Sequence, residues 1–185
     1  MPPPLPLPPL PDSPPSRGGP TRRQWVVVAA IFAVVVPLAW AAGKFVHWSA
    51  AYTAGAAVQS VLTDQQDAWN RGDLDGFMAG YWADERLTFS SGDTVTRGWQ
   101  ATMDRYRKQY QSDGKEMGVL AFTDVEIEPL GPDAVAAFVR GRWGLVFAKS
   151  EEKPNGLFTL VMRKTPAGWK VVHDHTSAAE PPKKN

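Results

Sequence analysis

The sequence contains no cysteine among its 185 residues. That removes disulfides, thiolate zinc sites, iron–sulfur clusters and cysteine nucleophiles together, while leaving the redox compartment open. Histidine is scarce, with three residues. A dominant charge is lacking too, since 20 Lys+Arg against 19 Asp+Glu leave +1. A field that weak gives no argument for nucleic acid. There is no glycine-rich phosphate loop, no nucleophile motif and no internal repeat. What is present is aromatic: eight Trp, eight Phe and four Tyr, ample for a packed core or an apolar pocket. The length suits one domain, or two small ones.

Proline is concentrated rather than absent. Ten of the 17 prolines fall within residues 1–20, a stretch that cannot make helix or sheet because proline fixes φ and donates no hydrogen bond. Residues 1–24 therefore read as a disordered, polyproline II-rich tail, either a ligand for an aromatic-grooved partner or a solvated leader. Trp25 to Ala42 follow as 18 consecutive residues without a charge. As helix they span ~27 Å, close to the hydrocarbon thickness of a bilayer. Pro37 would kink such a helix, and Trp25 and Trp40 lie near its ends, where interfacial aromatics belong.

Arg17, Arg22 and Arg23 precede this run and only Lys44 follows closely. The positive-inside rule then puts the N-terminus in the cytoplasm and the remainder outside it. The expectation is a single-pass anchor over 25–43 in the cell membrane, a linker over 44–53 and a periplasmic or extracytoplasmic domain. Two rival readings concern the same segment. Ala39-Trp40-Ala41 is an A-x-A sequence of the kind that ends a cleaved signal peptide. Thr21-Arg22-Arg23-Gln24-Trp25 loosely resembles a twin-arginine export signal. All three export the domain.

Residues 54–178 read as one globular unit, and 179–185 as a disordered tail. Beyond Lys44 the chain carries 16 Lys+Arg against 18 Asp+Glu, a net −2. The first half is helical. Val58, Val61, Leu62, Gln65 and Trp69 share a narrow stripe at 100° per residue. Asn70-Arg71-Gly72 ends that helix, and Asp73 caps a short second one bearing Leu74, Phe77, Met78 and Tyr81. A hairpin over Leu87–Thr96 turns at Ser91-Gly92-Asp93. A third helix places Trp99, Met103, Tyr106 and Tyr110 on one face. The second half is four long strands, Met117–Pro129, Ala134–Ala148, Leu157–Lys164 and Trp169–Ser177, joined by short Gly/Pro turns and hence antiparallel. Strands near 13 residues imply a bent sheet. A curved antiparallel sheet with three N-terminal helices against its concave face is an α+β domain.

Gln66-Asp67-Ala68-Trp69-Asn70-Arg71-Gly72-Asp73-Leu74-Asp75-Gly76-Phe77 resembles the helix 1–helix 2 corner of the nuclear transport factor 2-like superfamily. Gly168-Trp169-Lys170-Val171-Val172-His173-Asp174-His175-Thr176-Ser177 resembles the last strand of its uncharacterised bacterial branch. That branch is similar to the association domain of calcium/calmodulin-dependent kinase II, to SnoaL-like proteins and, more distantly, to ketosteroid isomerases. The resemblance implies a cone-shaped scaffold and leaves function open, because the scaffold hosts isomerases, cyclases, dehydratases, transport factors and assembly modules. It does not extend to isomerase machinery. Where ketosteroid isomerases carry a general-base aspartate, this chain has Leu87-Thr88-Phe89-Ser90-Ser91. Where they carry an oxyanion-hole tyrosine, it has Gln65.

Gln65 sits at the centre of an apolar stripe, so it either lines a wet pocket or bonds a backbone group in the core. His173 and His175, two apart on a strand, are expected on one face with Trp169 and Val171, reaching inward as ligand-contacting or structural histidines. No third ligand is evident, so no metal and no cofactor are expected. Arg142 either binds a carboxylate inside the cone or lies with Arg140 on a solvated outer face. The aromatic set Trp69, Phe77, Tyr81, Trp82, Phe89, Trp99 and Tyr106 exceeds what a filled core needs, and some of it should line a cavity. The expected site is thus Gln65, Trp69, Tyr81, Trp82, Phe89, Trp99, Tyr106, Arg142, His173 and His175, around a small apolar ligand, with no catalytic residue assigned. The alternative is a small-molecule enzyme of isomerase, cyclase or dehydratase type with a histidine acid/base. A homodimer is expected through the sheet's second face, because the strand 157–164 is apolar on both faces and one helical layer covers only one.

Overall fold

A computed structural model of the chain describes residues 21–179. The Pro-rich segment over 1–20 and the tail over 180–185 lie outside the described residues. Helix α1 (Arg22–Asn70) opens the described chain, with Pro37 inside it. The chain divides into two units between Gly43 and Lys44. In the first, an 18-residue window has a mean hydropathy of 2.5, and none of its described residues is buried. Among the described residues this is the one helix long and apolar enough to cross a membrane.

The second unit begins with residues 44–53, expected as a linker and helical instead. The stretch contains neither glycine nor proline, so nothing in it breaks the helix. Its hydroxyls fold back onto the helix, Ser49 donating to the Val46 carbonyl and Thr53 to the Ser49 carbonyl, both at 2.8 Å.

The helix ends where expected. Gly72, at φ 80°, adopts the left-handed conformation that closes a helix with least strain. The Asp73 N–H reaches back to the Ala68 carbonyl at 2.9 Å. The Asp73 carboxylate then accepts the Gly76 N–H at 2.7 Å, capping α2 (Leu74–Met78). The hairpin β1 (Thr88–Ser91) and β2 (Thr94–Arg97) leads into α3 (Trp99–Tyr110), and β3 (Val119–Leu130), β4 (Ala136–Val146), β5 (Asn155–Thr165) and β6 (Gly168–Thr176) complete the chain.

The strands form one sheet in the order β2-β1-β6-β5-β4-β3. The long strands pair antiparallel as expected, but the hairpin joins the sheet through a parallel β1–β6 pairing. Two bulges bend it. One lies in β3 between Thr123 and Glu126, where Asp124 takes φ 52°. The other lies in β6, where Val161 and Met162 are adjacent on β5 but face His173 and Val171, leaving Val172 as the extra residue.

Side chains at the C-terminal end of α1 cover the exposed edge of β3. Gln66 accepts the Phe122 N–H at 2.8 Å. Asn70 accepts the Leu120 N–H at 2.7 Å and donates to the Leu120 carbonyl at 3.0 Å. An edge strand left bare would template pairing with another chain. The core lies between this helical layer and the concave face, with Val58, Leu62, Met78, Met103, Val139, Met162 and Val171 fully buried.

Candidate functional site

The residues that face the hollow of the sheet come from every element of the second unit except β2. Gln65 and Trp69 descend from α1, Phe77 from α2, Tyr106 and Tyr110 from α3, Phe89 from β1, and Phe158 and Leu160 from β5. Together with Phe122, Leu145 and Phe147 they enclose a cavity of about 650 Å³. Its aromatic wall is built largely of edge-to-face contacts. Trp69 meets Phe77 at 5.0 Å and Tyr110 at 4.7 Å between ring centroids. Tyr106 meets Phe77 at 5.3 Å and Phe89 at 5.6 Å. Such pairs favour a ring's positive edge against its neighbour's face.

One buried polar cluster sits among these rings. Asp174, 3% exposed, accepts the Tyr81 hydroxyl at 2.7 Å on one carboxylate oxygen and the Thr176 hydroxyl at 2.8 Å on the other. The Tyr81 and Tyr106 hydroxyl oxygens lie 3.4 Å apart. Tyr81 is positioned by backbone pairing, because Gly80 accepts the Val171 N–H and Val171 accepts the Trp82 N–H, each at 2.9 Å. Burial pushes the Asp174 carboxyl up to about 6, against the opposing pull of the Tyr81 and Thr176 hydrogen bonds and the nearby His175. Burial also raises the Tyr81 and Tyr106 hydroxyls well above their ordinary range, and the Asp174 charge adds to both. Burial thus shifts all three groups towards their neutral forms, while Asp174 still ionises above about pH 6.

Gln65 does both things expected of it as alternatives. It lines the cavity, and its amide donates to the Phe77 carbonyl at 3.1 Å. Gly80 makes room for it, since a Cβ there would stand 2.5 Å from the Gln65 Cδ.

Five of the ten expected site residues surround the cavity: Gln65, Trp69, Tyr81, Phe89 and Tyr106. Trp82 and Trp99 do not. They line a separate depression of about 450 Å³ near the β5–β6 turn, and the Trp99 indole donates to the Met78 carbonyl at 3.0 Å. Arg142 lies on the outer face, paired with Asp124 at 3.2 Å, because strand alternation sets it opposite the buried Val139 and Leu145.

The histidines also differ from the expectation. The Val172 bulge shifts the alternation of β6 by one, so Trp169 and Val171 face inward before it and Asp174 after it. A one-residue slip moves every following side chain to the other face. His175 is consequently exposed, and His173 bonds the Thr88 hydroxyl at 2.6 Å away from the cavity. Partial burial lowers the His173 imidazole, and His175 lowers it further. Among the described residues no three His, Asp or Glu side chains converge as a metal would need. The residues of the buried polar corner missed from sequence are Asp174 and Thr176. The adjacent Val171-Val172 pair, which interrupts alternation, is the one signal for them.

Comparison with known proteins gives a consistent answer for the second unit. Residues 58–181 match the family model described as SnoaL-like domain. A nuclear transport factor 2-like protein of unknown function from Shewanella oneidensis is 39% identical, with a TM-score of 0.60 over 66% of this chain and 97% of that one. A ketosteroid isomerase-like protein from Erwinia carotovora atroseptica is 19% identical, with a TM-score of 0.55 over 69% and 97%. A nuclear transport factor 2-like superfamily protein from Salmonella enterica is 18% identical, with a TM-score of 0.55 over 72% and 95%. At those last two identities the likeness is one of fold. No curated protein matches the chain.

Proposed function

The chain belongs to the family of SnoaL-like domains, and from that premise we propose that its cone binds a small, mostly apolar molecule bearing one or two hydrogen-bonding groups. The observation that carries this reading is the cavity of about 650 Å³, aromatic on its walls and polar at Asp174, Tyr81, Tyr106 and Thr176. Specific small-molecule sites have this build, apolar area for affinity and a few fixed polar groups for orientation. With the Tyr81 and Thr176 protons on Asp174, the Tyr106 hydroxyl donates to the Tyr81 oxygen over a long 3.4 Å, and that weak bond is the one a ligand acceptor displaces. The test is calorimetric titration of 2-naphthol into the full chain held in lipid nanodiscs, with empty discs as the blank. Saturable one-to-one binding, weakened by Tyr106→Phe, is expected. Absence of saturable binding by ring phenols and by ring ketones alike overturns the reading.

A second reading has its own observation. A buried carboxyl held at about 6 is tuned for proton transfer near neutrality. Chemistry of isomerase, cyclase or dehydratase type would then use Asp174 in the role expected of His173 or His175. Loss of turnover in Asp174→Asn with retained ligand binding supports it, and retained turnover excludes it.

For location, the reading is a single-pass protein of the cell membrane, its N-terminus cytoplasmic and residues 44–185 outside. Its support is the apolar stretch of α1 and the basic residues ahead of it. Mass spectrometry of the membrane fraction tests it, because a mature N-terminus near Ala42 removes the anchor. A homodimer through the outer face of the sheet is supported by Val119, Val146 and Leu157, each more than half exposed there.

A further inference from the structure

The cavity holds a cation that its carboxylate does not use. Arg105 stands on α3 one residue before Tyr106 and lines the same space. It is half-buried, with its guanidinium 5.1 Å from the Phe89 ring centroid. Among the described residues its guanidinium makes one hydrogen bond, a long one of 3.4 Å to the Thr96 hydroxyl.

Five other arginines of the domain are held differently, while Arg163 lies over the Trp82 ring outside the cavity. Arg71, Arg86, Arg107, Arg140 and Arg142 each lie against a carboxylate. Arg105 has no such partner among the described residues, although Asp174 lines the same cavity. The remaining cations of the lining, Lys115 and Lys149, stand at an exposed stretch together with Glu116 and Glu152. A planar guanidinium stacked on a ring and short of acceptors presents paired N–H donors that match a carboxylate bidentately. The Arg105 charge also acts against the burial that raises the Tyr106 and Tyr110 hydroxyls.

We infer that the ligand of this cavity is an organic acid, its carboxylate held by Arg105 and a hydroxyl or carbonyl group of its apolar body set at the Asp174–Tyr81–Tyr106 corner. The inference rests on the pocket reading above and names its ligand class. Asp174 fixes the orientation, since a carboxylate placed beside it meets like charge.

Two probes separate the inference from its premise. The acid 6-hydroxy-2-naphthoic acid and the neutral 2-naphthol share ring and hydroxyl and differ in the carboxylate. Each is titrated into the full chain in nanodiscs of zwitterionic lipid, with empty discs as the blank. In the wild type the acid is expected to bind more tightly than the phenol, by about tenfold or more, with an affinity that falls as salt rises. Arg105→Gln is expected to erase that advantage and leave 2-naphthol within about twofold. Arg105→Lys, which keeps the charge without the planar fork, is expected to fall between. An unchanged near-UV circular dichroism spectrum shows that each variant keeps its aromatic packing. If Arg105→Gln leaves acid binding intact, or weakens both probes equally, the carboxylate assignment is overturned while the pocket stands. If neither probe binds the wild type saturably, the pocket reading fails and this inference with it.

Discussion

Asp174→Asn removes the buried carboxyl of the cavity while keeping its shape, and the structure sets the size and sign of the outcome. The Asp174 carboxyl is moved from 3.8 to about 6 by burial. At ~1.4 kcal/mol per factor of ten, ionising it in the native state costs ~3 kcal/mol more than in the unfolded chain. Its native value lies above its unfolded value, so between these two pH values the native state keeps a proton that the unfolded chain releases. The stability this group contributes is complete below pH 3.8 and is lost as pH rises through about 6. Exposed carboxylates act in the opposite direction. Asp84, held down to about 2 by Arg86, favours the folded state above its unfolded value. Those contributions are common to wild type and variant and cancel in the difference. Asparagine offers one acceptor oxygen where the carboxyl offers two, so either Tyr81 or Thr176 loses its partner at a cost of ~1 kcal/mol. At pH 4, where the unfolded carboxyl is already about half ionised, the variant should therefore be ~0.5 kcal/mol less stable than wild type, and at pH 8 ~2 kcal/mol more stable. In a domain of this size that swing is ~10 °C in Tm. Thermal unfolding of the full chain, followed by near-UV circular dichroism at both pH values, reads it directly. A stability difference that is the same at pH 4 and pH 8 refutes the reasoning, because Asp174 would then ionise as readily in the fold as in the unfolded chain.

Gln65→Leu should cost ~1 kcal/mol in urea unfolding rather than more, because the Phe77 carbonyl it leaves also accepts the Gly80 N–H at 3.2 Å. Gly80→Ala should destabilise by ~1–3 kcal/mol, since its Cβ would meet the Gln65 side chain at 2.5 Å. Adding Gln65→Ala should recover part of that loss, a coupling that a double-mutant cycle measures. Thr176→Val and Tyr81→Phe each delete a hydrogen bond that now lowers the Asp174 carboxyl, so each should raise its titration midpoint in a carboxyl NMR titration. For the outer face, Leu157→Lys should turn a dimer into a monomer by light scattering if the sheet mediates assembly.

Much of the fold was legible because its signals are local. The stripe Val58–Leu62–Trp69, the Gly72 helix stop, the Asp73 cap and the turn residues between strands each act within a few positions of chain. The apolar stretch Trp25–Ala42 is equally local, since hydropathy is a property of the segment itself. The continuation of α1 through 44–53 was legible in principle from the lack of glycine and proline there. The aromatic half of the candidate site followed from helical periodicity, which held for Gln65, Trp69 and Tyr106 because α1 and α3 are regular over those residues.

The polar half did not follow, and the reason is the bulge. By strict alternation from Trp169, His173 and His175 face inward and Asp174 faces out. A bulge arises from pairing between two strands, here from Val161 and Met162 of β5 meeting His173 and Val171 of β6. The Val171-Val172 pair marks a break in alternation within β6, but the pairing with β5 decides which residue is extra. Likewise the parallel pairing of β1 with β6 and the backbone tie of Gly80 and Trp82 to Val171 bring Tyr81 to Asp174 across 93 positions of chain. The sequence by itself determined the elements, their order and the aromatic surface they share. Which side chains of the last strand face that surface was decided only in the assembled sheet, because facing is set by register between strands and register is a property of the pair.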